Sequence, residues 1–204
     1  MLFKRWFQMF YYSIKLNKLI PIKINNKVYL KIRKNASLKL NGRLNLGLRR
    51  SEARVSTLPV NFYMGENSSA HFGHSVSVGQ GVNIILKDHA KLMVGDSTYF
   101  TSDLHLEAEN EIVIGKNCAI SWGTTIIDSN HHAIVISTKE QKVKGKVLIG
   151  DHVWVGCNVT ILKDTTIGDN CVIAAASVVK GNFPANSLIA GNPAEVVKSD
   201  VNWK

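Results

Sequence analysis

The first 50 residues contain no aspartate and no glutamate, against eight lysines and five arginines. The other 154 residues hold 12 basic and 15 acidic groups, so the net charge of +10 divides into +13 and −3. The basicity therefore belongs to one end of the molecule. No recognised nucleic-acid-binding motif accompanies it, so no nucleic-acid partner is expected. Cysteine is also scarce. Three residues, an odd number, do not make a disulfide framework and fit a reduced, cytoplasmic protein. No run reaches the ~18–20 apolar residues of a membrane span. The first 19 residues lack a small-residue cleavage site, and Lys15 and Lys18 interrupt their apolar part, which argues against a secretory signal.

What is present is a repeat. Between residues 149 and 179 an aliphatic β-branched side chain recurs every six positions, at Ile149, Val155, Ile161, Ile167, Ile173 and Val179. The residue after each is small at Gly150, Gly156, Gly168 and Ala174, with Leu162 the exception. Four positions after each aliphatic stands another small or β-branched residue: Val153, Val159, Thr165, Cys171, Ser177. The same phase appears earlier at Ile114, Ile120 and Ile126, with Cys118 and Thr124 in the small slot. A period of six fits neither an α-helix nor a paired antiparallel strand. It fits a chain wound in flat triangular coils, with one aliphatic residue per side pointing into a common core, which is the mark of a solenoid. The 15 glycines suit tight corners, where positive φ or close backbone approach is needed.

Ahead of the repeats, Leu2, Phe3, Trp6, Phe7, Phe10 and Ile14 recur at spacings of three and four, with basic residues beside them. This predicts an amphipathic helix over residues 1–19, ending before Pro21. From Ile22 the pattern becomes alternation: Ile22, Ile24, Val28, Leu30, Ile32, Leu38, Leu40, with Asn41 and Gly42 as a turn. Short strands of irregular first coils are expected there. The register is lost again over residues 128–147, a polar stretch holding adjacent histidines. An insertion into a solenoid projects as a loop, and loops on rigid scaffolds carry function. The expected organisation is a helix over 1–19, one β-helix domain over 20–198 with its loop at 128–147, and a tail over 199–204.

Ile149 to Gly156 with the repeats after it resembles the hexapeptide-repeat acyltransferases. The closing run Ala190, Gly191, Asn192, Pro193, Ala194 is similar to the "AG-x-P-A" signature ending the β-helix of their acetyl-CoA-dependent members. The resemblance implies an all-β, left-handed parallel β-helix, against the usual right-handed crossover rule. It implies acetyl-CoA as co-substrate and a homotrimer whose sites lie between neighbouring subunits.

In the surface-polysaccharide and lipopolysaccharide O-acetyltransferase branch the motif reads "ISW…(D)SD-x-H-x-I". Here it stands as Ile120, Ser121, Trp122, then Asp128, Ser129, Asn130, His131, His132, Ala133, Ile134. That match makes His132 the general base; a gapless match to galactoside and maltose acetyltransferases selects His131. Histidine titrates nearest neutrality and suits the role. Asn130 stands where an acidic residue is commoner, which leaves Asp128 as the carboxylate to orient the imidazole.

Trp154, in "HVWVG", matches a family tryptophan that walls the acceptor site, with Trp122 beside it; its plain structural role is to cover a solenoid edge. Gly156 and Cys157 fall where the pantetheine arm lies between coils, Ala175 where a backbone amide meets it, and Lys180 and Lys198 near the coenzyme phosphates. The related β-helical carbonic anhydrases bind zinc through an H-x4-H pair. The seven histidines here include no pair five apart, so no metal is expected.

The reading is acetyl-CoA-dependent O-acetylation of a bacterial surface polysaccharide or its lipid-linked precursor. The cationic helix either holds the enzyme at an anionic membrane or caps the β-helix. Acetylation of a small acceptor (a nucleotide-sugar amine, serine or an antibiotic) and a non-catalytic β-helix scaffold are the alternatives.

Overall fold

The computed structural model describes residues 9, 11, 21–48 and 56–204. The helix expected over 1–19 lies outside the described residues except at Met9 and Tyr11; Met9 is half-buried and packs against the core.

The described chain is a parallel β-helix of triangular section. Its coils lay strands on three sheets, here called faces A, B and C, of nine, seven and seven strands. Coil 1 runs through Ile22–Ile24 on A, Val28–Ile32 on B and Ser37–Leu40 on C. Coils 2 to 4 repeat this, the fourth with Tyr99–Phe100, His105–Ala108 and Glu111–Ile114. Coil 5 has Ala119–Ile120 on A, Thr125–Ile127 on B and, after the inserted loop, Lys146–Ile149 on C. Coil 6 has Trp154–Val155, Thr160–Ile161 and Thr165–Ile167; coil 7 has Val172–Ile173, Val178–Val179 and Asn182–Phe183. The eighth turn begins with Leu188–Gly191 on A, then reverses into the antiparallel strand Ala194–Lys198. That reversal pairs the last edge of face A, which an open parallel sheet would leave unsatisfied.

Why six residues make a side is visible in the burial. Successive side chains on a strand alternate in direction, so a two- or three-residue strand presents one aliphatic residue inward. All nine aliphatic repeat positions are at most 2% exposed, and the small-slot residues Cys118, Thr124, Val153, Val159, Thr165, Cys171 and Ser177 at most 1%. Burial pushes the Cys118 thiol up to about 11, as suits an inert core residue. The early coils, irregular in sequence, fill the same core with larger residues, including Phe62, Phe72 and Phe100.

The corners divide the glycine expectation, positive φ or close approach, between residue types. Left-handed backbone at the corners is carried mostly by other residues, among them Asn35, Asn67, Asn117, His152, Asn158, Asn170 and Asn186. Asparagine tolerates that region through local hydrogen bonds. Most glycines serve close approach instead. A Cβ on Gly150 would sit 2.3 Å from Asp169 Oδ1 and 2.8 Å from its backbone nitrogen. The same aspartate binds the coil before it, since Asp151 N–H donates to Asp169 Oδ1 at 2.7 Å. Asp88, Asp96 and Asp151 do likewise for Glu66, His74 and Lys116.

Candidate active site

Coil 4 turns from face B to face C in two residues, Glu109 and Asn110, between His105–Ala108 and Glu111–Ile114. One coil further along the axis, the same corner is opened by the inserted loop. Its neck is closed by backbone bonds: Gly145 N–H donates to Asp128 O at 2.7 Å and Asn130 N–H to Val143 O at 3.0 Å. Beyond the neck, Val135–Ile136 pairs antiparallel with Lys139–Glu140. Ser137 and Thr138 between them both have positive φ (47° and 67°), the backbone of a two-residue hairpin turn. The expected loop is thus a projecting hairpin, exposed throughout residues 131–140.

His131 stands at the neck with φ 61°, and its backbone N–H donates to Ser129 Oγ at 2.9 Å. Its Nδ1 lies 2.9 Å from Glu109 Oε1, across the coil boundary. Lys144 Nζ reaches the other carboxylate oxygen of Glu109 at 3.4 Å. Burial works to raise the Glu109 carboxyl, and the hydrogen bonds from His131 and Lys144 outweigh it, holding the group below the ordinary glutamate value. A carboxylate on Nδ1 fixes ring orientation and tautomer and turns Nε2 toward a substrate, the arrangement of a supported general base.

His132 is exposed, and among the described residues no hydrogen bond to its ring is found. Asp128 does not orient either imidazole, contrary to expectation. It is fully buried, and its carboxylate oxygens accept the backbone N–H groups of Glu109 at 2.7 Å and Asn110 at 2.9 Å. Burial raises its pKa although these donors favour the anion. It is a corner aspartate like Asp169, pinning the backbone that carries Glu109, while its carbonyl accepts Gly145 N–H at the neck of the loop. The sequence reading missed Glu109 because its partner lies 22 positions away. Coil stacking makes the pair: Glu107 pairs with Ile127, which sets Glu109 directly beneath the loop neck.

Glu107 forms a second cluster alongside. Lys87 Nζ lies 2.9 Å from Glu107 Oε1, and His105 Nε2 lies 3.3 Å from Oε2. Single ligand atoms of Glu107, Glu109 and His131 fall within 4.8 Å of one another. The lysines Lys87 and Lys144 already neutralise the two carboxylates, as structural ion pairs do.

The other expected residues gather elsewhere. Trp122, Gly156, Cys157 and Ala175 stack at the corner between faces A and B: Asn158 N–H donates to Trp122 O, Gly156 N–H to Ile173 O and Ala176 N–H to Cys157 O, each at 2.9 Å. Among the described residues, the N–H groups of Cys157 and Ala175 take no part in this coil-to-coil ladder. A Cβ on Gly156 would lie 2.7 Å from Ala175 N, so glycine keeps that amide uncovered. Lys180 is exposed, next after Val178–Val179 on face B, and Lys198 ends the last strand on face A.

Trp154 is 43% exposed on face A, between Ala119 and Val172. The tail folds back to meet it. Trp203 stacks on His152 at 4.4 Å and 10°, lies 6.2 Å from Trp154, and donates its indole N–H to His152 O at 2.8 Å. Within one protomer, Trp154 and His131 thus belong to different faces.

A β-helix with a carboxylate-paired imidazole at one corner and backbone amides outside the coil-to-coil ladder at another has the parts that group transfer on a solenoid needs. The chain belongs to the hexapeptide-repeat acyltransferase family. Residues 146–181 match the family model described as bacterial transferase hexapeptide (six repeats). The "Putative lipopolysaccharide biosynthesis O-acetyl transferase WbbJ" of Escherichia coli (strain K12) is 30% identical over 146 residues, 67% of this chain and 74% of that protein. Among solved structures, the polysialic acid O-acetyltransferase OatWY superposes with TM-score 0.56 at 25% identity, over 90% of each chain. The polysialic-acid-specific acetyltransferase NeuO gives TM-score 0.58 at 19% identity, over 90% of this chain and 89% of that one, a likeness of fold. The left-handed β-helix of the family is the fold of this chain.

Proposed function

We propose that the protein is an acetyl-CoA-dependent O-acetyltransferase that acetylates a sugar hydroxyl of a bacterial surface polysaccharide or its lipid-linked precursor. The single observation that carries the reading is the 2.9 Å pair of Glu109 and His131 on the loop. In this mechanism His131 Nε2 takes the proton of the attacking hydroxyl as the new C–O bond forms at the thioester carbonyl. Collapse of the tetrahedral intermediate expels the coenzyme thiolate, which takes that proton from the imidazolium. Glu109 stabilises that imidazolium while it lasts. The amides of Cys157 and Ala175 receive the pantetheine arm, and Lys180 meets the phosphates. The names of WbbJ and OatWY support a glycan acceptor. A scaffold protein has no use for an oriented imidazole, which tells against the non-catalytic alternative.

The assembly we propose is a homotrimer closed by face C of one protomer against face A of the next. Met93 and Leu148 are exposed on the outer side of face C, and Trp154 on face A. Such a heterologous contact closes as a ring. It sets the corner carrying His131 beside the neighbour's corner carrying Gly156 and Ala175, so one site draws on two subunits. No described helix is long and apolar enough to cross a membrane. The three free cysteines support a cytoplasmic setting, and the packing of Met9 on the core supports a capping role for the N-terminal segment. The test of the function is mass-spectrometric acetyl transfer from acetyl-CoA to sugar hydroxyls against amine acceptors. Transfer to hydroxyls is expected; transfer to amines alone overturns the reading.

A further inference from the structure

We propose that the outer side of face B over coils 1 to 4 binds an extended acidic glycan, the polymeric acceptor, along a track leading up to His131. The proposal rests on the glycan-acetyltransferase reading and adds to it the chemical class and the geometry of the acceptor.

Two outward rows run along this face in unbroken register. The first is Tyr29, Asn61, Asn83 and His105, continuing to Thr125 in the coil from which the loop departs. The second is Lys31, Tyr63, Ile85 and Glu107. Tyr29 is 52% exposed, and the rows offer groups that sugars use: phenol rings with apolar faces and polar tips, and side-chain amides. Asn61 Nδ2 donates to Asn83 Oδ1 at 2.6 Å, which holds the two amides in line along the axis. Lys27 Nζ lies 5.2 Å from the Tyr29 ring centre and Lys31 Nζ 5.8 Å from that of Tyr63, so each ring carries a cation at its face.

One feature selects an acidic polymer, and two select a long one that leads to the loop. On face B and its edges, coil 1 places Lys27, Lys31, Arg33 and Lys34 and no acidic residue, while Lys23 lies on face A and Lys39 on face C; of these, Arg33 pairs with Glu66. That concentration of positive charge has no role at the site of chemistry, four coils away. Successive coils rise by ~4.8 Å, the strand spacing of a sheet, so coil 1 lies ~19 Å from coil 5. The rise per coil is close to the length of one sugar ring, so an extended chain laid along the face can offer about one unit to each coil. Finally, the track is continuous with the site: Glu107 and His105 end it beside the His131 corner.

The experiment is equilibrium binding of the full-length protein to sized oligogalacturonates, from disaccharide to octamer, with size-matched neutral dextrans and phosphatidylglycerol vesicles alongside. Affinity for the acidic series is expected to rise at least tenfold with length and to fall as salt shortens the reach of the lysines. The double variant Lys27→Glu, Lys31→Glu should weaken octamer binding tenfold or more, Tyr63→Ala severalfold, and Lys91→Ala on face C should leave it unchanged. Equal affinity for dextran, no dependence on length, or binding untouched by the double variant overturns the proposal. So does an outcome in which the lysines govern vesicle binding alone. Acetyl-CoA turnover by thiol release is followed in parallel: length-dependent binding without transfer to any acceptor would uphold the track and sink the enzymatic reading.

Discussion

Glu109 and His131 sit on consecutive coils, and Glu109 Oε1 meets His131 Nδ1 at 2.9 Å. The carboxylate is on a two-residue corner of the rigid stack, while the imidazole is on the neck of a projecting hairpin. The stack thus holds the projecting element's imidazole, and does so from below. Asp128 completes the arrangement by fixing the Glu109 N–H at 2.7 Å. Glu109→Gln should therefore lower kcat about tenfold or more, with the KM for acetyl-CoA little changed, because it spoils the base and leaves the coenzyme corner intact. Steady-state kinetics with thiol detection reads both. A rise in coenzyme KM with kcat unchanged would move Glu109 out of the site of chemistry.

The second carboxylate predicts a pH effect on stability. Burial works to raise Glu107, and the hydrogen bonds from Lys87 and His105 outweigh it, so it titrates below its ordinary value of 4.5. A depressed carboxylate stabilises the fold above its unfolded pKa and loses that contribution as pH falls through the folded one. Lys87 stays half exposed, which limits the pair to ~0.5–1 kcal/mol. Glu107→Gln should thus lower Tm by ~1–4 °C at pH 7, and the difference should close well below pH 4.5. Thermal melts at the two ends of that range check it; a gap that persists in acid contradicts it.

How much of this was legible in the sequence follows from which contacts are periodic. The nine aliphatic repeat residues lie in the core because a six-residue side allows one inward side chain, and that spacing needs no tertiary information. Coils 1 to 4 show the same core less regularly in sequence, since Phe62, Phe72 and Phe100 take the place of β-branched residues. The site was legible only in part. The loop and its histidines announce themselves by breaking the repeat, yet Glu109 sits in an unremarkable corner 22 residues earlier and becomes a partner only through coil stacking. Trp203 likewise reaches His152 from 51 positions away. The glycines announce close approach in the sequence but not its partners, because the contacts that forbid a side chain belong to the next coil.

Close coil approach makes a sharp prediction. A Cβ at Gly156 would stand 2.7 Å from Ala175 N and 2.8 Å from Ile173 O, both backbone atoms. Gly156→Ala should destabilise the fold by ~1–3 kcal/mol through overpacking and raise the KM for acetyl-CoA by covering the Ala175 amide. A variant as stable as the parent, with unchanged coenzyme KM, would show that the corner relaxes without cost.

The tail should report on the tryptophan cluster. Trp203→Ala removes a stacked ring and one indole hydrogen bond, worth ~1–2 kcal/mol together. Trp154, freed of its neighbour, should become more open to acrylamide quenching. Quenching that does not change would mean the tail does not stay seated on His152.

The most direct test of the central claim is a comparison of His131→Ala with His132→Ala in acetyl transfer to a sugar hydroxyl. The structure predicts that His131→Ala lowers kcat by ~10²-fold or more, as for loss of a positioned base, while His132→Ala, which lacks a carboxylate partner, has a much smaller effect. Equal activity of the His131 variant and the parent, or a loss confined to His132→Ala, would contradict the account.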